Sequence, residues 1–466
     1  MPVRAATILG LSCLVASVTV SPAQAAAPGV RLSRASGPPT TITAVKGQGF
    51  GSSETIDIRF DVTLVATTTS DASGSFSKSV MVPVSALPGT HQIKAKGETS
   101  NLLAKTVFTV RTDWQKFHFD ATNSGLNPYE NVLSTSNVSG ITQRWATLTA
   151  GVVESSPAVV RGVVYVSAGD VGVGQAELYA IRTSNGTVIW SQVIGGQDPS
   201  DPTVAGSSVY LGTLTDHSLR SFDASTGDLR WTFNAAGSVG TPTVVGNVAY
   251  VSSGAFLVYA IDTTTGTKIW SAHTGGDVYF STPAVANGTV FVGSEDGNVY
   301  AFDATTGSPI WTAVTGGPIH SSPAVSQGTL FIGSSDDQLH AFDAATGAPV
   351  WAGTTGGDVE SSPAVANGLV YVGSDDDNIY AFDATTGAER WAVPTGNAIQ
   401  LGSPSVANGV VYTGSEDQSI YAMDAATGVT LWTFATGGLM NTSPAIADGV
   451  LYMGSFDDYI YSFGLP

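Results

Sequence analysis

The sequence predicts an all-β chain: an eight-bladed β-propeller of four-stranded blades, preceded by a small β-sandwich. Three observations predict it. Prolines preceded by Ser, Thr or Asp stand at 157, 202, 242, 283, 323, 363, 404 and 444, and tryptophans at 145, 190, 231, 270, 311, 351, 391 and 432. A period near forty residues marks stacked or radial repeats. The repeats carry hairpin-turn residues between short apolar runs, and none shows a helical period.

Before the repeats come a leader, a small module and a bridge. Arg4, the apolar stretch 5–20 and Pro22-Ala23-Gln24-Ala25 read as a cleaved secretory signal over residues 1–25. Cys13, the only cysteine, lies inside it, so the mature chain has no disulfide and no thiolate ligand. Residues 30–112 alternate apolar and polar side chains, as in Thr55-Ile56-Asp57-Ile58-Arg59-Phe60 and His91-Gln92-Ile93-Lys94-Ala95, with turn signals between them. That pattern predicts the sandwich. Residues 113–142, from Asp113 through Asn123-Ser124-Gly125, form the bridge, and 143–466 the propeller.

The repeat at 361–396 shows how each blade is written. Strands are expected at 362–366, 369–373, 379–383 and 390–393. Asn367-Gly368 is a two-residue hairpin turn, since both residues accept positive φ. Asp383 can bond the backbone N–H groups of the 384–387 turn, and Gly387 can take the left-handed conformation. The last repeat, ending at Phe463, supplies three strands and stops. Its fourth is expected from 143–148, which would close the ring and remove its open edges.

Charge narrows the partners. Eighteen Lys and Arg against 37 Asp and Glu give a net charge of −19. Nucleic acid and anionic membrane surfaces require a basic footprint, so neither is expected as a partner. No apolar run after the leader reaches the length of a membrane span. Secretion, or residence in the cell envelope, follows from the leader, and a monomer is expected.

The candidate site is where the repetition breaks. Three residues before each proline stand Glu154, Pro199, Val239, Phe280, His320, Glu360, Leu401 and Asn441. In a propeller these loops converge on the axis at one face. Glu154, Asp277, Tyr279, Phe280, His320, Glu360, Gln400 and Asn441 are therefore the candidate ligand-binding residues. Aromatic, imidazole and carboxylate groups together are what a polar ligand pocket needs. The loops 334–337 and 374–378 are rich in Asp but lack the EF-hand register, and read as hairpin turns.

The repeated Ala-x-Asp-x-x-Thr-Gly-x-x-x-Trp, as in Ala301 to Trp311, Ala341 to Trp351 and Ala381 to Trp391, resembles the tryptophan-docking repeat of pyrroloquinoline-quinone-type propellers. Weaker copies run from Ala180 to Trp190, where Arg182 replaces the Asp, and from Ala422 to Trp432. The bridge resembles the segment before the first blade in that superfamily. The sandwich resembles bacterial immunoglobulin-like modules. Dehydrogenases of the superfamily imply longer blades, adjacent cysteines over the quinone and a Glu/Asn/Asp set for calcium or a lanthanide. None is evident here, and no catalytic residue is assigned. The chain is more similar to the non-catalytic branch, including the barrel-assembly propeller lipoprotein. The resemblance implies a binding or scaffold protein without cofactor, whose axial face holds a protein or carbohydrate. The alternative is a secreted enzyme: a dehydrogenase using pyrroloquinoline quinone with calcium, or a polysaccharide-degrading enzyme using His320 with Glu360 or Glu154.

Overall fold

The computed structural model describes residues 27–169, 176–195 and 199–466. The leader expected at 1–25, with Cys13, lies outside them. The chain divides into two compact units. One takes Ile42–Met81 and His91–Phe108 with the segment ending at Ala35; the other takes Ser36–Thr41, Val82–Thr90 and Thr109–Pro466.

The smaller unit is built on strands Gly29–Leu32, Ile42–Gln48 and Phe76–Met81 in one sheet, and Thr55–Phe60, Thr63–Thr69, Gly89–Gly97 and Leu103–Val110 in a second. Alternation along Thr55–Phe60 buries Ile56, Ile58 and Phe60 and leaves their neighbours toward water, the period-two pattern of a half-buried strand.

The larger unit is a β-propeller. Eight sheets follow one another from Ala158 onward, seven of four strands and one joined by Leu126–Asn127 as a fifth. In each, a three-residue strand lies innermost, as Ala158–Val160, Ala364–Ala366 and Ala445–Ala447 do. Every innermost strand lies against those of the sheets on either side, and Ala445–Ala447 lies against Ala158–Val160, so the ring is closed. The closing strand is Thr142–Leu148, which pairs antiparallel with Tyr459–Gly464.

Strand bounds in the 361–396 repeat differ most from expectation at the first strand, which is Ala364–Ala366, while the third and fourth, Asn378–Asp383 and Glu389–Pro394, begin one residue before the expected ends and the fourth also runs one residue past. Ser362 and Pro363 stay outside the first strand. Proline has no N–H for a ladder, and the Ser362 N–H donates sideways to Ser403 Oγ at 2.8 Å. The hairpin turn has the expected positive φ at Asn367 (53°) and Gly368 (78°). Asp383 Oδ1 accepts the N–H groups of Thr385 and Thr386 at 3.1 and 2.9 Å.

Each repeated tryptophan ties one blade to the next. Trp351 donates its indole N–H to the Ala384 carbonyl at 3.1 Å and packs beside Phe331 of its own sheet, ring centroids 5.7 Å apart. Its ring covers Gly387, where a Cβ would come within 2.6 Å of the indole. Trp351→Ala is expected to cost about 3 kcal/mol, the low end for a large aromatic because the ring stays partly exposed. Calorimetry tests this, and an unchanged melting curve would refute the docking role.

Candidate functional site

The residue before each repeated proline builds a circumferential belt. The Ser322 N–H donates to Ser362 Oγ at 2.8 Å, Ser362 to Ser403 at 2.8 Å, and Ser403 to Ser443 at 3.2 Å. Ser443 then donates to Ser156 Oγ at 3.0 Å, joining the last sheet to the first. Once round the belt the hydroxyl is replaced by a carboxylate: Asp201 Oδ1 accepts from the Ser156 N–H at 2.5 Å. Burial pushes the Asp201 carboxyl up to about 6, against the opposing pull of Ser156, Thr241 and the Lys116 charge. The recurring Ser/Thr/Asp-Pro pairs in the sequence are the signature of this belt, and their circumferential role was not legible from spacing alone.

Beneath the belt, residues 114–127 run along the inside of the ring. The middle residue of an innermost strand has no ladder partner on its axial side, and an unpaired buried N–H is costly. The strap supplies the acceptors. Val204 donates to Gln115 O (2.8 Å), Val285 to Ala121 O (2.6 Å), Val325 to Thr122 O (2.9 Å), Val365 to Ser124 O (2.8 Å) and Val406 to Gly125 O (2.7 Å). Gly125, at φ 63°, passes so close to Ala364 that a Cβ would lie 2.7 Å from the alanine methyl. Asn123 is fully buried and donates to the Thr282 and Pro323 carbonyls, each at 3.0 Å. Its Oδ1 accepts from Lys116, whose ammonium also reaches Phe117 O at 2.8 Å. Burial holds the Lys116 ammonium down at about 7.

Above strap and belt opens an axial funnel of about 330 Å³. Phe117 of the strap is in its lining, with the belt residues and with Glu154, Tyr279, Phe280, His320, Glu360 and Asn441. Six of the eight sequence candidates are thus brought together. Asp277 and Gln400 are not among the lining residues. Asp277 Oδ1 instead accepts the Tyr279 N–H at 2.7 Å and shapes that loop. Gln400 Nε2 reaches Asp375 Oδ2 at 3.4 Å. The lining also holds Asp201, Leu214 and Leu401; the first two were not singled out in the sequence.

His320 is the most constrained of the candidates. Its Nδ1 lies 2.8 Å from Glu360 Oε1, its Nε2 3.6 Å from Glu295 Oε1, and its ring meets Phe280 edge-on with centroids 5.3 Å apart. The hydrogen bond to Glu360 holds the imidazole above its ordinary pKa; burial opposes this, and the charges of Glu360, Glu295 and Asp358 add to it. A histidine pKa raised by folding stabilises the fold below the unfolded value, near 6.5, and that contribution disappears as pH rises through the folded value. His320→Gln is therefore expected to cost about 1 kcal/mol at pH 6 and much less at pH 9. Melting curves at the two pH values test it; an equal deficit at both would disprove the charged pair.

The Asp-rich loops are tied to their neighbours. Asp376 Oδ2 accepts from the Gly356 N–H at 2.6 Å and from Tyr380 Oη at 2.5 Å, and its Oδ1 from the Asn378 N–H at 3.1 Å. Asp336 does the same with Gly316 (2.6 Å) and His340 (2.9 Å). Each carboxylate pins its loop to the loop leaving the preceding sheet.

The family model described as outer membrane protein assembly factor BamB, a pyrroloquinoline-quinone-type repeat, matches residues 130–271, 215–318, 295–405 and 376–463. The chain belongs to this family. Over 147 residues, 26% of the chain, it is 30% identical to tetrathionate hydrolase of Acidithiobacillus ferrooxidans, and the match spans 28% of that protein. Among solved structures it is similar to BamB from Moraxella catarrhalis, with a TM-score of 0.60 and 22% identity over 70% of this chain and 97% of that one. It is also similar to a europium-containing methanol dehydrogenase, with a TM-score of 0.64 and 14% identity over 76% and 98%. At these identities the two structures show the propeller fold.

The dehydrogenase likeness raises pyrroloquinoline quinone as a cofactor, and the funnel does not fit it. The quinone carries three carboxylates. No Arg or Lys lines the funnel among the described residues, and Glu154, Asp201 and Glu360 present carboxyl groups to it. The imidazole of His320 is already engaged by Glu360. Nor do the described residues hold a group of three or more His, Cys, Asp or Glu placed for a metal ion.

Proposed function

We propose that this chain is a binding or scaffold protein of the cell envelope or extracellular space, whose axial funnel holds part of a protein partner. The observation that carries the reading is the contrast within one ring. The belt repeats one hydrogen bond from blade to blade and the strap meets several innermost strands in the same way, whereas the positions three residues before each proline vary around the ring, from Glu, Pro and Val to Phe, His, Leu and Asn. A rigid scaffold carrying a variable ring of side chains is how a binding site is grafted onto a common fold. Membership of the BamB family supports a protein rather than a glycan as partner. In this reading the chain has the order leader, 30–112 sandwich, 113–142 bridge and 143–466 propeller, and the sandwich serves as spacer or attachment. The test is binding of wild type and the His320→Ala, Glu360→Ala double variant to peptide and glycan arrays. Wild type is expected to retain a set of peptides that the double variant loses by at least tenfold. Identical profiles would remove the funnel as the site.

A second reading, a hydrolytic enzyme, is favoured by one observation: the 2.8 Å contact between His320 and Glu360. Such a pair can act as a general base. Hydrolysis of a polysaccharide panel, abolished by His320→Ala, would establish it.

A further inference from the structure

We infer that the funnel receives a cationic side chain, the ammonium of a lysine or the guanidinium of an arginine, presented by an extended segment of the partner protein. The inference rests on the binding reading above and gives that site a ligand chemistry.

Size comes first. A cavity of about 330 Å³ lies at the small end of ligand pockets, ~300–1,000 Å³. It admits one or two side chains rather than a helix or a strand.

Charge comes second. Glu154, Asp201 and Glu360 line the cavity, and no Lys or Arg does among the described residues. Beside Glu360 lie further carboxylates. Burial first, and then the Glu360 charge, drive the Asp375 carboxyl up to about 6, with Asp358 and Glu416 adding to it. Asp358 is raised by burial and by Asp337 and Glu360. Asp375 Oδ1 is buried without a hydrogen-bond partner. This sector holds carboxylates that destabilise one another, and the countercharge at hand is His320, shared between Glu360 and Glu295. An incoming cation relieves that repulsion. An anionic ligand would increase it.

The walls supply the third argument. Phe117, Tyr279, Phe280, Leu214 and Leu401 line the same cavity, and Phe280 is 48% exposed. Aliphatic and aromatic surface accepts the methylene stem of Lys or Arg, and an aromatic face attracts its charged end. The net charge of −19 steers a basic segment toward the protein.

The test uses the full chain and fluorescein-labelled decapeptides identical except at one central position: Lys, Arg, acetyl-lysine, norleucine or Glu. Free cadaverine serves as a soluble diamine competitor. The Lys and Arg peptides are expected to bind at least tenfold more tightly than the acetyl-lysine and norleucine peptides, with affinity falling as salt rises. Glu360→Gln and, separately, Phe280→Ala are each expected to weaken the Lys peptide by fivefold or more. Phe280 stands exposed, so its variant reports on the site without unfolding the ring. Cadaverine binding as tightly as the peptides would assign the site to free amines and overturn the protein segment. Equal affinity for Lys and acetyl-lysine, or full affinity in both variants, would overturn the cationic assignment. If neutral or acidic array peptides then bind and the His320, Glu360 double variant loses them, the binding reading stands without it. If nothing on either array is lost by that variant, both fail.

Discussion

Asn123→Ala is expected to lower the stability of the propeller by roughly 3–5 kcal/mol. Asn123 sits fully buried in the strap, where its amide N–H groups satisfy the carbonyls of Thr282 and Pro323 from two different sheets. Its carbonyl oxygen faces the Lys116 ammonium, which is itself buried. Alanine leaves two buried carbonyls and one ammonium short of a partner, and each such loss costs about 1–3 kcal/mol. The ammonium keeps the Phe117 and Asp120 carbonyls, at 2.8 and 3.2 Å, which holds the total below the sum of the upper limits. Phe117 belongs to the same strap and lines the funnel, so ligand affinity is expected to fall with stability. Denaturant unfolding gives the first quantity and peptide titration the second. A midpoint within error of wild type would mean that the strap is an accessory rather than part of the core.

The outer architecture was legible in the sequence because it is written locally. Asn367-Gly368, Asp383 through Gly387, and the tryptophan four residues later each act on near neighbours; the turn and its tryptophan recur seven times, once with Arg182 in place of the Asp, and the hairpin glycine recurs in every repeat. The strap was not legible. Its contacts reach from Gln115 to Val204 and from Asn123 to Thr282 and Pro323, and it occurs once, so no period reveals it. Its Asn123-Ser124-Gly125 reads only as part of the bridge. The belt lay between these cases: the Ser/Thr/Asp-Pro pairs were visible, but a residue before proline reads as strand entry until the neighbouring sheet is in place. For the funnel, counting back three residues from each proline gave eight positions, and all but Val239 are in the lining. Asp277 and Gln400, three and one residues before the counted positions Phe280 and Leu401, are not in the lining, and Asp201 was hidden among the hydroxyl residues it replaces.

Trp145→Ala should have a larger effect than Trp351→Ala, although the two residues occupy the same place in the repeat. Trp145 lies in the closing strand, Thr142–Leu148, which pairs with Tyr459–Gly464 at the other end of the chain. Its indole N–H donates to the Thr183 carbonyl at 2.8 Å, its ring covers Gly186, and Tyr452 lies beside it with centroids 5.9 Å apart. The residue is 8% exposed. One side chain therefore fastens the last sheet to the first. Truncating a buried tryptophan costs about 3–5 kcal/mol; here the loss falls at the seam between chain ends, where sequence neighbours cannot compensate. An opened seam exposes the edges of two sheets, and exposed edges pair with other chains. The variant should therefore show a lower unfolding midpoint together with concentration-dependent association near that midpoint, measured by light scattering during a thermal ramp. Trp351→Ala, in the interior of the ring, should lose stability without the association. Equal losses and equal scattering for the two would mean that the seam is no weaker than any other junction.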